Sequence, residues 1–161
     1  MIAIMVAGIL MAMAAFTLIR ARASANEASA IASMKAVNSA QIAYNAACGR
    51  GFFAASLPIL GMPPHATATG GYIDSELAKA AVVIRSGYRI QVQSGAGSIN
   101  GPAPDCNGNT TISSYYASAV PLAVGDSGSR SFATNQVGST WQLNGGVAPA
   151  EPFGPPSVFA K

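Results

Sequence analysis

Residues 1–48 read MIAIMVAGILMAMAAFTLIRARASANEASAIASMKAVNSAQIAYNAAC, and the first ionisable side chains in them are Arg20 and Arg22. Wound as a helix, the uncharged run Met1–Ile19 would measure roughly 28 Å, close to the hydrocarbon thickness of a bilayer. Charge does not stop the helix there. From Ala21 to Ala47 the chain holds neither Gly nor Pro, and alanine, the best helix former, recurs throughout. Ile31, Met34, Val37, Tyr44 and Cys48 fall at three-to-four spacing, one apolar stripe that Gln41 interrupts. Asn26, Glu27, Lys35, Asn38 and Asn45 are placed largely off it. The pattern predicts one helix over Ile2–Ala47, ended by Gly49 and Gly51, with a uniformly apolar part (1–22) and a one-faced part (23–48).

The two parts need different shelter. The second can pack on its own domain through Ile31, Met34, Val37 and Tyr44. The first carries Ile2, Ile4, Val6, Gly8, Ile9 and Leu10, then Met13, Phe16, Leu18 and Ile19, and finds nothing in this chain to bury against. Leaving it wet is unfavourable by about 25 cal/mol per Å², tens of kcal/mol in all. It is expected to lie in lipid or among sister helices. No basic residues precede Ile2, as a secretory signal would require, although Ala12-Met13-Ala14 resembles a cleavage site. A cleaved signal, a transmembrane helix, or both in succession stay open on the residues alone.

The rest of the 161 residues suits one modest domain. Charged residues make up 9%, against roughly 25% in an average soluble domain. Such a surface is common in exported proteins and in proteins that pack against copies of themselves. The net charge is +3 and the basic residues are scattered rather than gathered into a stripe, so no nucleic-acid partner is expected. The two cysteines, Cys48 and Cys106, read as a disulfide in an exported domain, one that would stabilise by roughly 4 kcal/mol.

Residues 49–85 look like a loop region. Phe52-Phe53 and Leu57–Leu60 are short apolar runs broken by prolines, expected as ordered loop rather than regular structure. Asp74–Ala81 suggests a helical turn or two capped by Asp74 or Ser75. Over 86–144, Tyr88–Gln93, Ser114–Leu122, Arg130–Thr134 and Thr140–Leu143 read as four strands of an antiparallel meander. Its apolar face would lie on the helix stripe. The Pro-rich tail 145–161 is expected as extended chain. The aromatic residues sit mostly where core is expected.

Catalytic chemistry is not visible. His65 is the only histidine, Asp74 and Glu76 look like helix-start charges, and the cysteine spacing suits neither zinc nor a redox motif. Gly95-Ala96-Gly97 lacks the lysine of a phosphate loop. No enzyme, metal site or cofactor is expected.

Several segments together resemble bacterial type IV pilins and pilin-like proteins. They are Leu18–Arg22, Ala25–Ile31, Asn38–Gln41 with Tyr44, Cys48-Gly49, Phe52–Leu57, Gly71–Asp74, Ser86–Tyr88, Tyr115–Ala119 and Arg130–Thr134. The resemblance reaches to about Trp141. It implies an α+β, ladle-shaped subunit: a long N-terminal helix packed on a four-stranded antiparallel head, the helices bundled inside a thin extracellular filament. Aligned through Gly8, Met1 falls a few residues inside the mature protein. The family's basic leader and its acidic residue near the mature start would then lie upstream, and its helix-breaking proline near Phe16. Phe16–Ile19 matches a mature start only superficially, because Arg20 stands where the acid belongs.

The reading that results is a structural subunit of a type IV pilus-like filament at the cell surface. It would polymerise with identical copies through residues 2–19, after an inner-membrane stage that involves pilus assembly machinery. A pseudopilin of a type II secretion system shares fold and stalk and is the alternative. A monomeric membrane-anchored binding module is a third.

Overall fold

The computed structural model describes the backbone of residues 2–64 and 68–160, and side chains of 18–64 and 68–160. Helix α1 spans Ile2–Ala47 without a break. After it come β1 (Phe53–Ala54), α2 (Leu57–Leu60), α3 (Ser75–Ala78), β2 (Val82–Arg85) and β3 (Tyr88–Ser94). The chain continues through β4 (Thr111–Ile112), β5 (Tyr115–Pro121), β6 (Arg130–Asn135), β7 (Trp141–Asn144) and β8 (Val158–Phe159). The class is α+β, an N-terminal helix packed on an antiparallel sheet.

Helix α1 stops where the expected glycines stand. The N–H groups of Cys48 and Gly49 both donate to the Tyr44 carbonyl, and the chain then turns through positive φ at Arg50 and Gly51. Gly49 is required for a further reason: a Cβ there would fall on the Phe52 carbonyl oxygen and press on the Tyr44 ring.

The sheet is larger than the four strands expected. Its order is β2-β3-β5-β6-β7-β8, six strands, and β1 pairs with β4 in a separate two-stranded ladder. The four expected strands are its middle, β3, β5, β6 and β7. Strand β2 joins β3 through the two-residue turn Ser86-Gly87, with φ of 47° and 70°. Both values are positive, which matches the right-handed twist of a hairpin. Val82–Ile84 is uniformly apolar, without the polar alternation that marks a half-buried strand, and so it gives no period-two signal. Strand β8 lies in the Pro-rich tail and exists only by pairing Trp141↔Phe159 and Gln142↔Val158. Leu57–Leu60, expected as loop, is a helical turn. Pro58 is tolerated in its first turn because that N–H has no intrahelical acceptor anyway.

One face of the sheet lies on α1. Tyr88, Ile90 and Val92 of β3, Tyr115, Ala117 and Ala119 of β5, and Phe132 of β6 are buried there with Ala30, Met34, Val37, Ala40 and Tyr44 of α1. The other face is partly covered by the tail. Trp141 stacks on Phe153 at 5.6 Å and meets Phe159 at 4.2 Å, while Tyr116 Oη donates to the Pro149 carbonyl at 2.6 Å. These four aromatics therefore belong to the outer face rather than to the core against the helix. Cys48 and Cys106 are joined by a disulfide with Cα atoms 5.0 Å apart.

Among the described residues no helix is long and apolar enough to cross a membrane. The expectation of a membrane span rests on residues 1–19, whose side chains before Leu18 lie outside the described ones.

Candidate assembly interface

Helix α1 emerges from the head at Glu27. This side chain continues the buried stripe one turn towards the N-terminus, through Ala30, Met34, Val37, Gln41, Tyr44 and Cys48. Glu27 Oε1 accepts from the Ser129 N–H at 2.7 Å and from its hydroxyl at 2.8 Å. Oε2 accepts from Arg130 Nε at 2.8 Å and Nη2 at 2.5 Å. Burial by itself would raise this carboxyl. The hydrogen bonds from Arg130 and Ser129, with the guanidinium charge, outweigh it and hold Glu27 below the ordinary glutamate range. Arg130 also donates to Gln142 Oε1, and Asn26 Nδ2 donates to the Ser127 carbonyl. The exit of the helix is thus tied to β6, β7 and the loop between β5 and β6.

Deeper in the head, two more polar residues complete the stripe. Gln41 is fully buried, and its amide donates to the Ala54 carbonyl at 2.8 Å while accepting from the Ala54 N–H at 2.9 Å. It behaves as a one-residue strand partner for β1. Tyr44 Oη donates to Asp105 Oδ2 at 2.7 Å. Asp105 also accepts from the N–H groups of Asn107 and Asn109. Burial raises the Asp105 carboxyl, but these donors together pull it below its ordinary value; the Tyr44 hydroxyl is pushed up by burial and by Asp105. Cys106 follows immediately, so disulfide and carboxylate pin the same loop to the end of α1.

The outward face of α1 is different in kind. Ala21, Ala25, Ala28, Ala32, Ala36, Ser39 and Ala43 are all exposed on it, with Arg20, Arg22 and Lys35 as its described charges. Leu18 and Ile19 are 53% and 46% exposed. Small side chains let another backbone approach closely, and exposed apolar ones gain by being covered.

The residues singled out from sequence divide accordingly. Met34, Val37 and Tyr44 are fully buried, and Ile31 packs at the edge of the core. Leu18 and Ile19 are exposed. The side-chain positions at Ile2, Ile4, Val6, Gly8, Ile9, Leu10, Met13 and Phe16 lie outside the described residues, as does His65. Asp74 caps α3 by accepting from the Glu76 N–H and also pairs with Arg85; Glu76 pairs with Lys79. Among the described residues no three His, Cys, Asp or Glu side chains could share a metal ion. A shallow depression of about 350 Å³ is bordered by Gln93, Ser94, Ala96, Tyr116 and Glu151. The Glu151 carboxylate there already accepts from the Ala96 N–H and from Asn135.

The sequence pattern placed Glu27 largely off the stripe, which its burial in the structure corrects, and took Gln41 only as an interruption of that stripe. Their signal was present: 27, 30, 34, 37, 41, 44 and 48 keep strict three-to-four spacing. A polar residue on such a stripe must find a partner inside. The chain matches no protein-family model, no curated protein and no solved structure.

Proposed function

We propose that the chain is a structural subunit of a type IV pilus-like helical filament, polymerising through the N-terminal half of α1. In this reading the fold is pilin-like and the assembled product lies at the cell surface. The subunit waits in the inner membrane before assembly machinery extracts it. One observation carries the proposal: α1 is a single element over Ile2–Ala47, yet among its described side chains those from Leu18 to Arg22 are all exposed and the first buried one is Glu27. Leu18 and Ile19, the first described side chains, are already exposed and continue into a run without charge. Identical neighbours would cover that run with the same small and apolar side chains.

The test is electron microscopy of the purified native product. Long thin filaments that contain this chain alone are expected. Short assemblies that need other components would favour a secretion-system pseudopilin, and dispersed single particles would overturn polymerisation altogether.

A further inference from the structure

Among the described residues the six-stranded sheet ends in two unpaired edges. At β2 the register Arg85↔Tyr88 closes a two-residue turn. The N–H and C=O groups of Val83 and Arg85 therefore face β3, and those of Val82 and Ile84 face away. At β8 the Ala160 N–H donates to Thr140, so Val158 and Ala160 face β7 and Phe159 faces away. Among the described residues, the outward backbone groups of Val82, Ile84 and Phe159 have no hydrogen-bond partner. Side chains on both edges are apolar and open: Ile84 is 61% exposed and Phe159 59%. Natural edges are often guarded by charge, proline, a bulge or short length; both edges here are short, and the one charge in β2, Arg85, is held by Asp74, while its outward positions Val82 and Ile84 are apolar.

We infer that β8 of one copy adds to β2 of the next, continuing the sheet from subunit to subunit around the filament. The inference rests on the filament reading above. Three features of the fold select this pairing. An even number of antiparallel strands makes β2 and β8 run in opposite directions, so laying one edge against the other preserves the alternation. The pleat also matches, because Ile84 and Phe159, whose backbones point outward, both place their side chains on the face away from α1. Finally, joining unlike edges leaves one free edge of each kind at the two ends of every pair, so the contact propagates. Joining like edges by a two-fold axis across the sheet would reverse one helix and close after two copies. Strand β8 is short, so the contact supplies few hydrogen bonds. That suffices between copies already held together by α1, where the effective concentration is high.

The test places Ile84→Cys and Phe159→Cys in one chain and treats assembled filaments with a short bis-maleimide; the native cysteines are bonded to each other and do not react. A ladder reaching beyond dimers on a denaturing gel is expected from the double variant, and only monomers from either single variant or from Val137→Cys in the β6–β7 turn. Dimers from Ile84→Cys alone would overturn the inference in favour of like edges meeting. Filaments that give no ladder would overturn the edge contact and leave the filament reading standing. If the unsubstituted chain forms no filaments, both fall. Should the cysteine variant fail to assemble, hydrogen exchange on the unsubstituted chain decides: Ile84 and Phe159 amides should slow by about tenfold or more on polymerisation. Unchanged exchange there, with filaments present, overturns the inference.

Discussion

Glu27 and Arg130 stand 103 residues apart in the chain and meet through two hydrogen bonds to one carboxylate oxygen, at the point where α1 leaves the head. Among the described residues Glu27 is the last buried side chain of the helix on that side, and Arg130 opens β6. The pair therefore ties the N-terminal end of the buried stripe to the start of β6.

Glu27→Ala should destabilise the head by about 2–4 kcal/mol. The variant strands the Ser129 N–H and leaves Arg130 without its anion, and removing one partner of a largely buried pair is more damaging than the pair's net worth. Chemical denaturation of the head measures it. A loss below about 0.5 kcal/mol would show that the carboxylate is dispensable.

Acid should weaken the fold through two carboxyls. Glu27 and Asp105 are both held below their ordinary values, so the unfolded chain takes up protons before the folded one does. Their contribution is complete above the unfolded-state values, near 4, and is lost as pH falls through the lower folded-state values. Melting temperature followed from pH 6 to pH 2 should drop in that window. The double variant Glu27→Gln, Asp105→Asn should flatten the profile; an unchanged slope would place the acid sensitivity elsewhere.

Gln41→Leu should cost about 2–3 kcal/mol although it adds a more apolar group to a core site. It leaves the buried N–H and C=O of Ala54 unpaired. Faster amide exchange at Ala54 and along β4 would accompany the loss, and protection like that of the parent chain would refute it.

Reduction should lower the melting temperature, because the Cys48–Cys106 bridge fastens the loop ahead of β4 to the end of α1. The expected effect is about 2–4 kcal/mol, checked by thermal unfolding with and without reductant. A head equally stable when reduced would show that Tyr44 and Asp105 hold the loop unaided.

On the filament reading, Gly8→Asp should abolish assembly while the head keeps its folded spectrum, because a charge within the apolar run could not be desolvated among sister helices. Filaments of normal length from this variant would contradict polymerisation through α1.

Local pattern alone determined the long helix, its end near Gly49, the stripe of Met34, Val37 and Tyr44, the cap at Asp74 and the four central strands. These follow from periodicity, from alanine's propensity and from the conformations that glycine and proline permit, all properties of neighbours in the chain. Only the folded chain decided the rest. Strands β2 and β8 exist because β3 and β7 offer them hydrogen bonds, and β8 draws on a partner more than a dozen residues away. Glu27 and Gln41 keep the spacing of the stripe, but a place inside is stable for them only once Arg130 and Ala54 arrive to satisfy them. A buried polar group is stable only with its partner in place, and long-range partners are set by topology rather than by spacing.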